Sequence, residues 1–331
     1  MRYQKIYYNL KDYGFTKDQL KNMCSKLWIA YEKIHGSNFS IVCDGSEVKF
    51  AKRNGILTED EWFYDYHLIK EQLQENAAKL YATLNKPFVL YGELCGGWYP
   101  ADVNAWKGPT GVRINDKNET ISTNKIAVQE GVYYSHNIEF ITFDLAIYEK
   151  DLDDYIFFDH EKFMEIMHNT KFKLNEPLLI APYEQMLDFK INTNSKLPKH
   201  LGMGELKEGT NIMEGIVVKP YVNIQINGIR PLIKIKNANF KELSPNVRID
   251  ELNRNYKHIF HLLLNRNRFD SVLSKNGLLT KNNHNIIVQE LIDDIWADCY
   301  TACPNITMPD YDTANDYLIT IATNYVMSKL L

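Results

Sequence analysis

The 331-residue chain lacks several features that mark whole classes of protein. Cysteine is scarce: Cys24, Cys43, Cys95, Cys299 and Cys303 are odd in number and scattered. The last two stand four apart with no second pair nearby, so neither a zinc knuckle nor a disulfide framework is encoded. These read as reduced thiols of a cytoplasmic protein. No apolar run approaches the ~20 residues that a membrane span needs. Met1-Arg2-Tyr3-Gln4-Lys5 leads into no apolar secretion core, so the expectation is a soluble, unsecreted chain. Gly96-Gly97-Trp98-Tyr99-Pro100 lacks the Lys-Ser/Thr of a Walker phosphate loop. Repeats and low-complexity tracts are absent as well. Nor is there a basic excess, since 38 Lys and Arg against 42 Asp and Glu leave a net charge of −4. As a whole, the chain advertises no polyanion partner.

What is present is a folding composition, 45% hydrophobic and 12% aromatic, long enough for two domains with separate cores. Residues 1–244 alternate short β-rich runs with turns. Trp28–Tyr31, Phe39–Cys43, Val48–Ala51, Phe88–Tyr91, Phe140–Ile147, Gly215–Lys219 and Leu232–Ile235 read as strands. Glu59–Leu84 and Phe158–His168 read as helices. The irregular alternation predicts a mixed α+β domain, not a doubly wound sheet. After Ser244-Pro245-Asn246 the pattern turns helical. Leu252, Tyr256, Ile259, Phe260 and Leu263 share one helix face, and Ile287–Ile295 and Tyr317–Tyr325 suggest two more helices. Thr313 with Asp316 resembles a capping box. The expected division is therefore 1–244 and a small all-α domain over 245–331. Charge is uneven there: residues 248–281 carry seven basic against three acidic residues, residues 282–331 one against seven.

The first chemically suggestive stretch is Glu32-Lys33-Ile34-His35-Gly36-Ser37-Asn38. By itself it could be a surface turn. Alternatively Lys33 is a nucleophile, which needs desolvation or nearby cations to attack as a neutral amine. Lys234 and Lys236 alternate onto one face of a strand, where an anion such as a triphosphate would relieve their repulsion. They could equally protect a sheet edge. Two carboxylates adjoin glycine, at Gly92-Glu93 and at Glu214-Gly215. An acid facing phosphates calls for a bridging cation, and Glu214 suits that role. Strict alternation turns Lys219 away from Glu214.

Taken in order, Lys33-x-His35-Gly36-x-Asn38, Lys52-Arg53-x-Gly55, Gly92-Glu93, Phe143-Asp144, Glu214-Gly215-x-Val217-x-Lys219 and Lys234-x-Lys236 are far more specific than any one of them. The series resembles the covalent nucleotidyltransferases, the ligase and capping-enzyme superfamily. Within it the chain is most similar to ATP-dependent RNA ligases of the second phage type, related to trypanosome RNA-editing ligases. His35, where DNA ligases and capping enzymes have Asp, and Asn38 carry that distinction. No β-rich oligonucleotide-binding module is evident after residue 245.

The resemblance implies an α+β nucleotidyltransferase domain, ATP-grasp-like, with antiparallel sheets flanked by helices. It implies RNA repair: ATP-dependent joining of 3′-OH and 5′-phosphate RNA ends, at nicks in duplex or bridged RNA, through lysyl-AMP and RNA-adenylate. ATP and Mg²⁺ would be the cofactors, with Mn²⁺ able to substitute, and the protein would act as a monomer away from membranes. Lys33 would carry AMP. His35, Lys234 and Lys236 would complete the catalytic set at the phosphates. Glu32, Ile34, Asn38, Arg53, Glu93, Phe143, Asp144 and Lys219 would bind the nucleotide, Phe143 by stacking on adenine, and Glu214 would hold metal. Trp62 and Phe63, with Tyr64 and Tyr66 nearby, fall where the phage relatives place aromatics near RNA. Arg248, Arg254, Lys257, Arg266 and Arg268 would meet RNA phosphates from the tail. Two rivals exist: an mRNA capping guanylyltransferase, and a non-catalytic RNA-binding relic. The nucleotide that labels the protein separates them.

Overall fold

A computed structural model describes the chain apart from residues 1, 60, 98, 100–111, 115–119, 123–126, 242–255, 303–307 and 331. It forms two compact units, Met1–Asn237 and Ala238–Leu331. The joint expected at 244–246 lies outside the described residues.

The strands of the first unit are β1 (Leu27–Glu32), β2 (Ser37–Cys43), β3 (Val48–Lys52), β4 (Gly55–Ile56), β5 (Phe88–Gly96), β6 (Val112–Ile114), β7 (Thr120–Ser122), β8 (Ile138–Glu149), β9 (Asp154–Phe157), β10 (Lys173–Leu174), β11 (Pro177–Pro182), β12 (Gly215–Pro220) and β13 (Ile233–Lys236). A four-stranded antiparallel sheet has the order β11-β1-β12-β13. A seven-stranded sheet runs β10-β8-β5-β2-β3-β4 with β9 also on β8, while β6 and β7 pair separately. The large sheet is antiparallel except where β10 joins β8. This is the mixed α+β class that the pattern anticipates.

Apolar residues of β1, β12 and β13 (Trp28, Ala30, Ile216, Val218 and Ile233) make one core with Leu10 and Met23. A second cluster joins Val89, Tyr91 and Ala146 of the large sheet to Tyr3 and Leu232. No helix among the described residues is long and apolar enough to cross a membrane.

Several elements differ from expectation for local reasons. The helix expected from Glu59 begins at Lys70, because Tyr64 and Asp65 have left-handed backbone (φ 49° and 58°), which a helix excludes. β11 begins and ends in proline and lies at a sheet edge, where a missing N–H is tolerated. In the second unit four α-helices are described, Tyr256–Leu263, Arg266–Asn276, His284–Ala302 and Tyr311–Leu330. The second of them was not anticipated, its sequence being mostly polar; Asn265 caps it by accepting from the Arg268 N–H at 3.1 Å. The last helix is capped by Asp310, whose carboxylate accepts from the Thr313 N–H at 2.9 Å, so Thr313 lies inside the first turn rather than at the cap. The four helices enclose an apolar core that includes Phe260, Val272, Leu291, Ile295 and Leu318.

Candidate active site

Three neighbouring strands bring the motif ends together. Lys33 follows β1, Glu214 precedes β12, and Lys236 ends β13. The Lys33 N–H donates to the Gly215 carbonyl (2.8 Å) and the Asn237 N–H to the Glu214 carbonyl (2.7 Å), so backbone fixes all three positions. Gly215 opposes Lys236, and a Cβ there would lie 2.0 Å from the Ile235 carbonyl oxygen. Only glycine permits that approach. Gly36 likewise presses on β5, where a Cβ would meet the Leu94 carbonyl oxygen at 2.2 Å. That contact lays the His35-Gly36 turn beside Glu93.

The side chains converge on one carboxylate. Lys33 Nζ lies 2.8 Å from Glu214 Oε2, His35 Nδ1 3.3 Å from the same oxygen, and Lys236 Nζ 3.1 Å from Oε1. Burial opposes charge on Glu214, but Lys33, Lys236 and His35 outweigh it and hold its carboxyl well below the usual range. Across the gap, Asn38 of β2 and Glu93 of β5 are direct cross-strand partners, and both remain partly accessible between buried neighbours. Burial pushes the Glu93 carboxyl up to about 8; Glu214 adds to this, whereas Lys33 and Arg53 oppose it. Arg53 sits one strand further on, in the turn between β3 and β4.

Other expected residues lie elsewhere or act indirectly. Lys234 shares the face of Lys236, with its ammonium 4.6 Å from the Tyr8 ring centre. Phe143 occupies a bulge: Tyr91 opposes Asp144 and Gly92 opposes Thr142, leaving Phe143 as the extra, half-buried residue. Asp144 is wholly buried and takes Tyr3, Lys219 and Arg230 as partners, so it offers no direct nucleotide contact here. Lys219 faces away from Glu214; it donates to the Phe143 carbonyl at 3.0 Å and is 3.3 Å from Asp144. Direct nucleotide binding by these two gives way to support of β8. Ile34 is buried. Glu32 is buried and turned to the far side of β1, accepting from the Lys196 N–H at 3.2 Å, while its carbonyl is engaged by Asn175 at 2.8 Å. Burial pushes its carboxyl up to about 7.

The RNA-facing expectations change most. Phe63 is 0% exposed and packs with Phe39 and Tyr64, so it is core, not an RNA contact. Trp62 is partly exposed, and its indole N–H donates to Asp65. Arg268 is 2% exposed, bonded to the Leu263 and Asp294 carbonyls and paired with Asp298; it ties the tail helices together and cannot reach RNA. Exposed Lys257 lies over the Tyr317 ring, and Arg266 pairs with Asp270 one turn on. Arg248 and Arg254 lie outside the described residues. Tyr134, not foreshadowed by any motif, is fully buried and accepts from the His35 N–H at 2.7 Å, pinning the turn after Lys33.

A lysine beside a buried acid, with a second lysine and a glycine-bounded carboxylate facing it, matches a nucleotidyl-transfer site. A family model named RNA ligase matches residues 26–236, which span these elements. The chain belongs to the RNA ligase family. Among its relatives, RNA-editing ligase 2, mitochondrial, of Trypanosoma brucei brucei is 29% identical over 274 residues, 74% of this chain and 62% of that protein. RNA-editing ligase 1, mitochondrial, of Trypanosoma brucei brucei is 25% identical over 240 residues, 67% and 51% of the two chains. This RNA ligase family member thus spans between half and two thirds of these curated relatives' own lengths. A Naegleria gruberi RNA ligase solved with PPi aligns over 72% of this chain and 56% of that one, at 15% identity and TM-score 0.44.

Whether the site suits a divalent cation can be judged from its donors. No group of three or more His, Cys, Asp or Glu that could hold a metal occurs among the described residues, which excludes an all-protein cage there. Glu214, buried and held ionised, supplies the hard oxygen donor that Mg²⁺ prefers. The donor set fits a cation that keeps most of its waters and is bound by one carboxylate plus substrate phosphates.

Proposed function

We propose that this RNA ligase family member is an ATP-dependent RNA ligase that joins 3′-OH to 5′-phosphate RNA ends through covalent AMP intermediates. The observation that supports it most is the convergence of Lys33, His35 and Lys236 on the Glu214 carboxylate. Lys33 attacks the α-phosphorus of ATP; the new N–P bond replaces the bond to the β-phosphate oxygen, and pyrophosphate leaves. An RNA 5′-phosphate oxygen then displaces Lys33, and a 3′-hydroxyl finally displaces AMP to close the phosphodiester.

Each residue has a role consistent with its position. Lys33, 2.8 Å from Glu214, attacks as a neutral amine. Lys236, and Lys234 on the same strand face, supply positive charge where phosphate oxygens gain negative charge. Glu93, opposite Asn38, would offer acceptors to ribose hydroxyls, and Phe143 would stack on the base. Glu214 would hold Mg²⁺ or Mn²⁺, which when bound neutralises phosphate charge. A cytoplasmic monomer acting on duplex or bridged RNA remains part of this reading.

The test is mass spectrometry of the protein after incubation with ATP and Mg²⁺. One added AMP on Lys33 is expected. Labelling from GTP instead of ATP would replace ligation with capping chemistry, and no adduct with either nucleotide would overturn the reading.

A further inference from the structure

Phe143 poses a positioning problem. As a bulge residue it has no cross-strand partner in the β5–β8 ladder, so hydrogen bonding between the strands does not set its direction. Its ring packs instead against Tyr3, a residue outside the motif series. Tyr3 packs edge-on against it, ring centres 5.2 Å apart, and donates its hydroxyl to Asp144 Oδ2 at 2.8 Å. Arg230 Nη1 meets the same oxygen at 2.8 Å. From the other side, Lys219 bridges Asp144 and the Phe143 carbonyl.

Arg230 is fixed in turn. Its guanidinium lies 3.7 Å from the Phe157 ring centre, its Nε donates to Asn223 Oδ1 at 3.1 Å, and its N–H donates to Gln4 Oε1 at 3.2 Å. Tyr3, Asp144, Lys219 and Arg230 are all buried. Two segments far apart in sequence, at Tyr3-Gln4 and at Arg230, therefore clamp the residue that follows the bulge. A rigid ring binds its ligand without first being ordered, and the clamp supplies that rigidity.

We infer that Tyr3 and Arg230 are positioning residues for Phe143, acting through Asp144 and Lys219 to set nucleotide affinity and base choice; this rests on the ligase reading, in which Phe143 meets the base. They leave the phosphate chemistry at Lys33 untouched.

The experiment uses the full chain and two readouts: equilibrium binding of ATP and GTP by calorimetry, and single-turnover formation of the AMP adduct. Tyr3→Leu, which removes ring and hydroxyl, is expected to weaken ATP binding about tenfold and to narrow the ATP-over-GTP preference, with the saturated adduct rate within about threefold of wild type. Tyr3→Phe keeps the ring, tests the hydroxyl alone without opening a cavity, and should weaken binding about threefold. Arg230→Lys should retain more affinity than Arg230→Gln, since it keeps charge on Asp144 but loses the flat contact with Phe157. If Arg230→Gln or Tyr3→Leu fails to fold, Tyr3→Phe and Arg230→Lys decide. Lower melting temperatures with unchanged ATP affinity and base preference would show a purely structural clamp and overturn the inference. A wild-type protein that binds ATP but takes no AMP would sink the ligase reading while leaving the binding series to judge the clamp. One that binds no ATP would sink both.

Discussion

The first unit contains two carboxylates, each held by paired cations, and they behave differently. Around Asp144, which is 0% exposed at the side chain, Lys219 and Arg230 are 8% and 6% exposed. Around Glu214, 3% exposed, Lys236 is 9% exposed, but Lys33 and the His35 imidazole reach 23% and 19%. In both places burial opposes the charged acid, and cations outweigh it. One cluster is sealed and joins chain segments; the other leaves Lys33 and His35 within reach of a ligand. A buried ion network is thus no sign of a reaction centre by itself. What distinguishes the two is whether a partner can exchange one charge for another.

That contrast is broken most severely at Lys33. Lys33→Ala is expected to abolish the AMP adduct and the sealing of ordinary 5′-phosphate ends, because on the proposed reading Lys33 supplies the attacking nitrogen. Gel or mass detection of an adduct on the variant would move the nucleophile elsewhere. The melting temperature should change little, since Lys33 is partly exposed and Glu214 keeps Lys236.

The two acids should then separate activity from stability. Glu214→Gln is expected to lower Mg²⁺-dependent turnover by about 10²-fold or more, with a smaller melting shift than Asp144→Asn because Lys33 and His35 are partly exposed. Asp144→Asn leaves two cations buried without their anion, and breaking such a pair costs about 3–5 kcal/mol. At 2–4 °C for each kcal/mol in a domain of this size, melting should drop roughly 6–20 °C. Equal melting losses in the two variants would end the distinction between them, and an unchanged Mg²⁺ titration in Glu214→Gln would remove that residue from the metal site.

How far the sequence foretold this site depends on the range of the interaction. Lys33 was legible through the ordered motif series, Glu214 through the glycine that follows it and Lys236 through its alternation with Lys234. Glu93 was legible from the glycine before it and its place in the same series. The bulge at Phe143 was not, since it arises from the register between β5 and β8 and leaves no local mark. Tyr134, Tyr3 and Arg230 act across 99, 141 and 86 residues, counted from His35–Tyr134, Tyr3–Asp144 and Asp144–Arg230. No periodicity reports such distances. Phe63 and Arg268 failed as RNA contacts because residue type was weighed without burial: an aromatic or an arginine fits a core when neighbours satisfy it.

The two compact units offer a further contrast. The motif residues all fall in the first, whereas the tail's exposed cations include Lys257 and Arg266. A fragment ending near Ser244 is expected to fold on its own core and still to form the AMP adduct, but to lose sealing. Contacts to RNA phosphates are electrostatic, so sealing by the full chain should weaken with salt more steeply than self-adenylylation. With Arg268 serving the tail's own core, Lys257→Ala with Arg266→Ala should reduce sealing only a fewfold. Nick sealing by the fragment at the full-chain rate and with the same salt response would rule out an RNA role for the tail.

The smallest expected effect concerns Glu93 and Glu214 as a function of pH. Burial raises the Glu93 carboxyl from 4.5 to about 8, so the folded chain keeps a proton that the unfolded chain has already released. Between about pH 5 and 8 the folded state therefore binds more protons, and this contribution to stability declines as pH rises. Glu32, raised by burial to about 7, adds to the same slope. Glu214 works oppositely: its carboxyl is held low, so its contribution is present above the ordinary glutamate range and is lost on acidification. Glu93→Gln carries no titrating proton at that position. Its melting temperature should fall less than that of wild type between pH 5.5 and 8.5, by a few degrees at most (~1 kcal/mol or less) because Glu93 is partly exposed and solvent screens it. Below pH 5, where Glu214 dominates, the two melting curves should run parallel. Parallel curves across the whole range would show that Glu93 ionises in the fold as it does in water.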